Sequence, residues 1–362
     1  MNVARYRAHI ATTGLAAFLA VSGLAACSSS GSSSAPAAPA STGSAAAANA
    51  TSPGAASSNA GITIAYAQYS ESVPFNVAEV DGVEQEAKAL GVKLTIENAN
   101  NSPTTQQSQM QTLLLQNIKG LLLTPADVVA VGPEVAKYNQ ANIPVVAIAA
   151  TPSTGKIYTE VGADATQIGN MEGKEAIALL KARYGTAKGN IVYGGGDPSV
   201  DVTAQERNGL NAALQPYPDV HLIASFAGNW SESDSYTAMM AVLAAHPASG
   251  STPSIDVAIG ADDPIADGIL EAAQKAGRLG AAGSASRMLI IGADGSAQGV
   301  EGVENGTFAA DIGNQPNVMG ELAVEQLVNA IKGVQSKGDV TVPLVTLTPQ
   351  NIASTPVWGK NS

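Results

Sequence analysis

From Ile62 to about Lys332 the chain alternates short β-rich runs with helical stretches, and strict alternation of this kind admits few folds. The expected strands are Ile62–Ala67, Val92–Glu97, Gly120–Leu123, Pro144–Ile148, Asn190–Tyr193, His221–Phe226, Ile255–Gly260, Met288–Gly292 and Ala309–Gly313. Between them the pattern predicts helices over Asn76–Leu90, Thr104–Asn117, Val128–Asn142, Asp164–Tyr184, Ala204–Leu214, Ser233–His246, Pro264–Ala276, Ala297–Asn305 and Asn317–Lys332. Gly91 stands where a helix C-cap is expected, and Asn142 lies two residues before Pro144 at the end of the third helix. Continuous apolar strands separated by helices imply a parallel sheet covered on both faces. There are more strands than one open sheet comfortably holds, so the expected class is α/β with two doubly wound parallel-sheet lobes. No internal sequence repeat is strong enough to demonstrate duplication.

The segment ahead of this alternation carries a different signal. Arg5 and Arg7 precede an apolar stretch from Ile10 to Leu24, and the run Leu24-Ala25-Ala26-Cys27 ends in the only cysteine of the chain. A charged start, an apolar middle and small residues at a cleavage point describe an export signal. The apolar run falls short of the ~20 residues a membrane-spanning helix needs. Leu-small-small-Cys resembles a bacterial lipobox, which implies removal of residues 1–26 and lipid attachment at Cys27. Residues 27–60 are almost wholly Ser, Ala, Gly, Pro, Thr and Asn, without charge or aromatic side chain. Such a stretch lacks the apolar surface to offset its ordering entropy and is expected to be a flexible tether of roughly 30 Å.

Composition excludes several function classes. The net charge is −12, and residues 1–26 carry two arginines and no acid, so the processed chain is more acidic still. An acidic chain without a Lys/Arg cluster lacks the phosphate-neutralising surface that nucleic-acid binding requires. One cysteine leaves no disulfide framework. Of the three histidines, His9 falls in the leader, while His221 and His246 are isolated, with His246 at a helix end before Pro247. There is no G-x-S-x-G, no H-E-x-x-H, no phosphate-binding lysine loop and no calcium-loop pattern, so neither an enzyme nor a resident metal or cofactor is expected. Gly194-Gly195-Gly196-Asp197 lacks both the lysine and the dinucleotide spacing, and reads as a permissive loop after a strand.

Asp262, Asp263 and Asp294 lie just after expected strands. Ligands of open α/β sheets bind outside the carboxyl ends of strands. A carboxylate there accepts two hydroxyl hydrogen bonds or pairs with a cation; alternatively it caps the helix that follows.

Taken in order, Val73-Pro74-Phe75 with Asp81-Gly82, Asn139-Gln140-Ala141-Asn142-Ile143-Pro144-Val145, Gln205-Glu206-Arg207, Ala245-His246-Pro247, Asp262-Asp263 and Gly292-Ala293-Asp294-Gly295 resemble the type I periplasmic solute-binding proteins of the ribose kind. The resemblance runs from Ile62 to about Val345. It implies two lobes joined by a three-crossing hinge, with a ligand cleft between them. Lobe one would comprise residues 61–163 plus 315–342, and lobe two residues 164–314 plus 343–355. Carried over position by position, Phe75 and Trp230 match aromatics that sandwich a sugar ring, Asp262 and Asp294 match hydroxyl acceptors, and Asn314 matches an amide at the second crossing. The chain departs from the ribose pattern at Ala149-Ala150, at Gln205 and at Asn76, where that pattern has an Asp-Arg pair, an arginine and an aromatic. Loss of both arginines makes ribose itself a poor fit, because unpaired buried polar groups cost ~1–3 kcal/mol each.

Two ligand classes remain: a different carbohydrate or polyol, and a cationic amine or furanosyl signal. The resemblance implies a monomeric, exported, lipid-anchored component of an ABC importer, partnered by a permease and through it an ATPase. The alternative is an extracytoplasmic sensor that hands its closed form to a receptor.

Overall fold

The computed structural model describes residues 59–248, 254–281, 284 and 286–360. The expected export signal, Cys27 and all but the last two residues of the expected tether lie outside the described residues. Asn59 is already packed on the folded body, donating its side-chain amide to the Leu90 carbonyl at 2.9 Å.

In chain order the strands are β1 (Thr63–Gln68), β2 (Lys93–Asn98), β3 (Gly120–Leu123), β4 (Val145–Ile148), β5 (Thr159–Gly162) and β6 (Gly189–Gly195). They continue with β7 (Val220–Ala227), β8 (Val257–Gly260), β9 (Leu289–Asp294), β10 (Ala310–Gly313), β11 (Val340–Thr341) and β12 (Val345–Leu347). The helices are α1 (Pro74–Leu90), α2 (Pro103–Leu114), α3 (Gly132–Gln140), α4 (Ala165–Tyr184) and α5 (Asp201–Leu214), then α6 (Glu232–Ala245), α7 (Asp263–Lys275), α8 (Ala297–Asn305) and α9 (Pro316–Ile331).

Two sheets result. One is wholly parallel in the order β11-β5-β4-β3-β1-β2. The other runs β12-β10-β9-β8-β6-β7, with only β12 antiparallel, against β10. Every residue of β3, β4 and β8 is buried, as expected for strands covered by helices on both faces. The chain passes from lobe one to lobe two after β5, returns after β10 into α9, and crosses again between β11 and β12. Three crossings thus join two doubly wound α/β lobes.

Local chemistry sets the element ends. α1 stops at Gly91 in the left-handed conformation (φ 67°), whose N–H reaches back to the Ala87 and Lys88 carbonyls. Ser102, Asp164, Ser231, Asp262 and Ser296 each cap the helix that follows through the side chain. His246 is the C-cap of α6, acting through its backbone N–H to the Val242 carbonyl. In each lobe one helix pair packs backbone to backbone. A Cβ on Gly82 of α1 would lie 1.9 Å from the Asn317 carbonyl oxygen of α9, and one on Gly209 of α5 1.9 Å from that of Thr166 in α4.

Three strands go beyond the sequence expectation: β5, β11 and β12 have four, two and three residues. Each is too short to carry a signal of its own, and pairing with a neighbour makes it a strand. The third helix starts at Gly132 rather than Val128, because Asp127 Oδ1 accepts from the N–H groups of Val129 and Ala130 at 2.8 and 2.9 Å and holds a turn there.

Candidate functional site

In parallel strands every carboxyl end lies on one side of its sheet, and the first two crossings leave from that side, after β5 and β10. The loops after the strands of both lobes therefore meet at the cleft. From lobe one come Tyr69, directly after β1, Phe75 and Asn76 in the first turn of α1, and Ala149-Ala150 after β4. From lobe two come Trp230 after β7, Asp262 after β8 and Asp294 at the end of β9, while Asn314 lies on the second crossing.

Each side chain has a local reason for its place. Phe75 and Ala149 are half-buried against the lobe-one core. Ala149 takes a positive φ of 60°, unusual for alanine, so the chain turns sharply just where a small side chain stands. Asn76 is buried, and its Nδ2 has no hydrogen-bond acceptor within the protein. Asn229 and Trp230 are both in the left-handed region, at φ 55° and 57°. The indole of Trp230 lies flat on Gly196: a Cβ there would come within 1.9 Å of Cζ2. Gly194 and Gly195 complete strand β6 rather than forming part of a loop, because both pair with β7, and Gly196 alone gives the aromatic ring its seat. Gln205, by contrast, is exposed on α5, whereas its neighbour Glu206 is buried.

The acids resolve into three roles. Asp262 caps α7, its Oδ1 accepting from Ile265 N–H at 2.7 Å. Asp263 caps nothing in its own helix; it turns inward, takes the Ser296 N–H at 2.9 Å, and faces the carboxyl of Asp311 in the lobe-two interior. Asp294 adopts φ 106° and offers its backbone carbonyl to two donors, Asn314 N–H at 3.0 Å and Trp358 Nε1 at 2.8 Å. Its carboxyl is met by the Asn314 side chain. The Asn314 Oδ1 is occupied by Gln315 N–H at 2.9 Å, which leaves the amide nitrogen to face Asp294.

Electrostatics in the cleft is dominated by like charges in a desolvated setting. Burial pushes Asp262 up to about 7, with Asp263 and Asp267 raising it further against the Ile265 N–H bond. Burial holds Asp294 well above the carboxylate range, reinforced by Asp262 and Asp263. Glu206 is raised by burial, then by Glu172, Asp294 and Asp262. At neutral pH these groups therefore carry protons among them and can donate as well as accept hydrogen bonds.

Tyr69 was not singled out from the sequence. Burial raises its phenol, the adjacent Asn76 side chain opposes the rise, and Asp262 and Asp294 add to it, so it faces from lobe one toward the lobe-two acids. An aromatic directly after a strand in a chain with 4% aromatic residues is the same signal that marked Trp230. Glu206 was not singled out either; α5 turns it inward beside the exposed Gln205.

Comparisons with known proteins agree with this geometry. A family model described as periplasmic binding protein domain matches residues 64–335. The ribose import binding protein of Escherichia coli is 29% identical over 293 residues, covering 80% of this chain and 93% of that protein. A xylitol-binding protein of Mycolicibacterium smegmatis is 26% identical over 272 residues, covering 75% and 73%. Among solved structures, an ABC transporter solute binding protein from Mycobacterium smegmatis with bound glycerol superposes with a TM-score of 0.72 at 25% identity, covering 81% of this chain and 96% of that one. Two lobes, a three-crossing hinge, strand-end loops converging on one cleft and a family match over three quarters of the sequence lead to one conclusion: the chain belongs to the periplasmic binding protein family.

Proposed function

We propose that the protein is the lipid-anchored, monomeric substrate-binding component of an ABC importer, capturing a sugar- or polyol-type solute by cleft closure. Family membership carries a non-catalytic, extracytoplasmic role with a cognate permease and ATPase. The observation that carries the ligand class is the pair Asp262 and Asp294 at the ends of adjacent strands β8 and β9, beside Trp230 on its glycine seat and the unpartnered Nδ2 of buried Asn76. Acceptors, a free amide donor and an aromatic face are what a polyhydroxylated ring or chain needs. Relatives described as ribose, xylitol, D-xylose and D-apiose binders support the same class. Phe75, Tyr69 and Asn314 complete the proposed lining, Ala149-Ala150 leave room beside it, and Gln205 is assigned to its rim. Closure follows from tighter binding to the shut arrangement than to the open one.

The charges acting most strongly on Asp262 and Asp294 are other carboxylates, and this favours one second reading, a cationic amine held by the acids and Trp230. Melting shifts against pentoses, hexoses, polyols and quaternary amines separate the two. A ligand at ~1,000 times its Kd stabilises by about 4 kcal/mol, a shift of several degrees. A sugar or polyol hit lost in Trp230→Ala supports the first reading. A hit among amines alone, with proton release seen as buffer-dependent binding heat, supports the second.

A further inference from the structure

The segment after β12 ends in a short 3-10 turn, Trp358–Lys360, that sits on the cleft side of lobe two. Trp358 is buried. Its Nε1–H donates to the Asp294 carbonyl at 2.8 Å, and the Asn314 N–H of the second crossing donates to the same oxygen at 3.0 Å. One carbonyl therefore joins the hinge to the C-terminal segment. The contact is tightly built: Gly359 N–H reaches the Gly295 carbonyl at 3.2 Å, and a Cβ on Gly359 would come within 2.2 Å of the Ser296 backbone. Lys360 Nζ ties the segment to itself through the Ile352 and Thr355 carbonyls.

Trp358 also faces lobe one. It lines an open recess of about 320 Å³ whose other walls include Pro74, Val77, Ala78 and Asp81 of α1 and Val73 just before it. Ala78, although a lobe-one residue, belongs to the lobe-two core cluster that contains Val357 and Trp358. α1 also carries Phe75 and Asn76. A single indole thus bonds to the main chain of one proposed ligand residue and faces, across this recess, the helix that bears two others.

We propose that Trp358 is a positioning residue for the cleft: its N–H holds the strained Asp294 main chain, and its ring limits how α1 moves against lobe two. Its effect on affinity rests on the reading of Asp294 as a ligand residue; its effect on lobe motion does not.

The test uses the full chain carrying Cys27→Ser, which leaves no native thiol, with spin labels at Val129 and Asn208, exposed in lobe one and lobe two. Distances are read by pulsed electron resonance without any solute. Trp358→Ala should lengthen or broaden the interlobe distribution by ~5 Å, the scale of a hinge motion, while Trp358→Phe, which keeps a ring, stays close to wild type. Ala78→Glu, which attacks the contact from lobe one, should reproduce the alanine result and covers the case in which Trp358→Ala folds poorly. Titration with xylitol and with D-ribose adds the second arm: Trp358→Phe, lacking the N–H, should bind about three- to tenfold more weakly. Distributions for Trp358→Ala and Ala78→Glu that both overlay wild type would overturn the inference. Silence of the wild-type chain toward both sugars would count against the ligand reading and leave the distances to decide this one.

Discussion

Lobe one buries Glu79 and surrounds it with donors: Tyr66 Oη, Thr124 Oγ1 at 2.6 Å and Gln68 Nε2 at 3.2 Å all converge on its Oε1. Lobe two buries Glu172, Glu206, Asp263 and Asp311, and both carboxyl oxygens of Glu172 find no hydrogen-bond partner. With one topology in both halves, fold alone does not dictate this contrast. The lobe-one acid has one oxygen held by three donors and only its Oε2 left without a partner, whereas the lobe-two acids form a field that reaches Asp294 at the cleft. One lobe uses its buried charge to specify packing; the other keeps its interior acidic behind the proposed binding face.

The largest expected effect tests what the lobes share. Gly82→Ala in lobe one and Gly209→Ala in lobe two each force a methyl into a backbone carbonyl at 1.9 Å, so each should cost about 4 kcal/mol or more in denaturant unfolding. Equal losses would show that the two helix pairs are equivalent, and a mild loss in one would break the parallel.

Arg183→Ala comes next. Its guanidinium pairs with Asp256 at 3.2 Å, with 9% and 4% of the two side chains exposed, and Asp256 also takes the Asn190 N–H at 2.8 Å. Losing one partner of a buried pair should cost about 3–4 kcal/mol. A loss below ~1 kcal/mol, the range of surface pairs, would show that water reaches the site.

The buried acids predict a pH dependence of stability. Glu79 and Glu172 are both pushed from 4.5 up to about 8 by burial, so the folded protein holds protons that the unfolded chain releases. The stability they contribute is complete below about pH 4.5 and is lost as pH rises through about 8, so the melting temperature should fall from pH 5.5 to 8.5. Glu172→Gln should flatten that fall and raise stability at pH 8.5 by about 1–2 kcal/mol. Glu79→Gln, whose Oε1 already has three donors, should gain less; the reverse order would erase the contrast between the lobes.

The smallest effect is a control: Lys137→Ala breaks the Glu134 pair at 2.9 Å, but the lysine is 46% exposed, so under 1 kcal/mol is expected.

Much of the fold was legible because its signals are local. Val-, Ile- and Leu-rich strands, Gly91 after α1 and Pro144 before β4 mark boundaries that nearest neighbours determine. β11, at two residues, has no signal of its own and exists because β5 lies beside it. That Asp262 and Asp294 follow strands was readable in the sequence, but the difference between Asp262 and Asp263 was not. Which of two adjacent carboxylates caps its helix and which turns toward Asp311 is decided by tertiary packing. Gln205 and Glu206 illustrate the same limit: a one-residue step on a helix turns a side chain by 100°, and the sequence alone does not tell which of the two is buried.

The three crossings also bear on when this protein can fold. Lobe one lacks α9 and β11 until residue 341 has been made, and lobe two lacks β12 and the Trp358 turn until the last few residues follow. No contiguous half of the chain can close its own core early. Neither lobe therefore holds the pieces to lock until the chain has run through most of the other, and the two are completed nearly together.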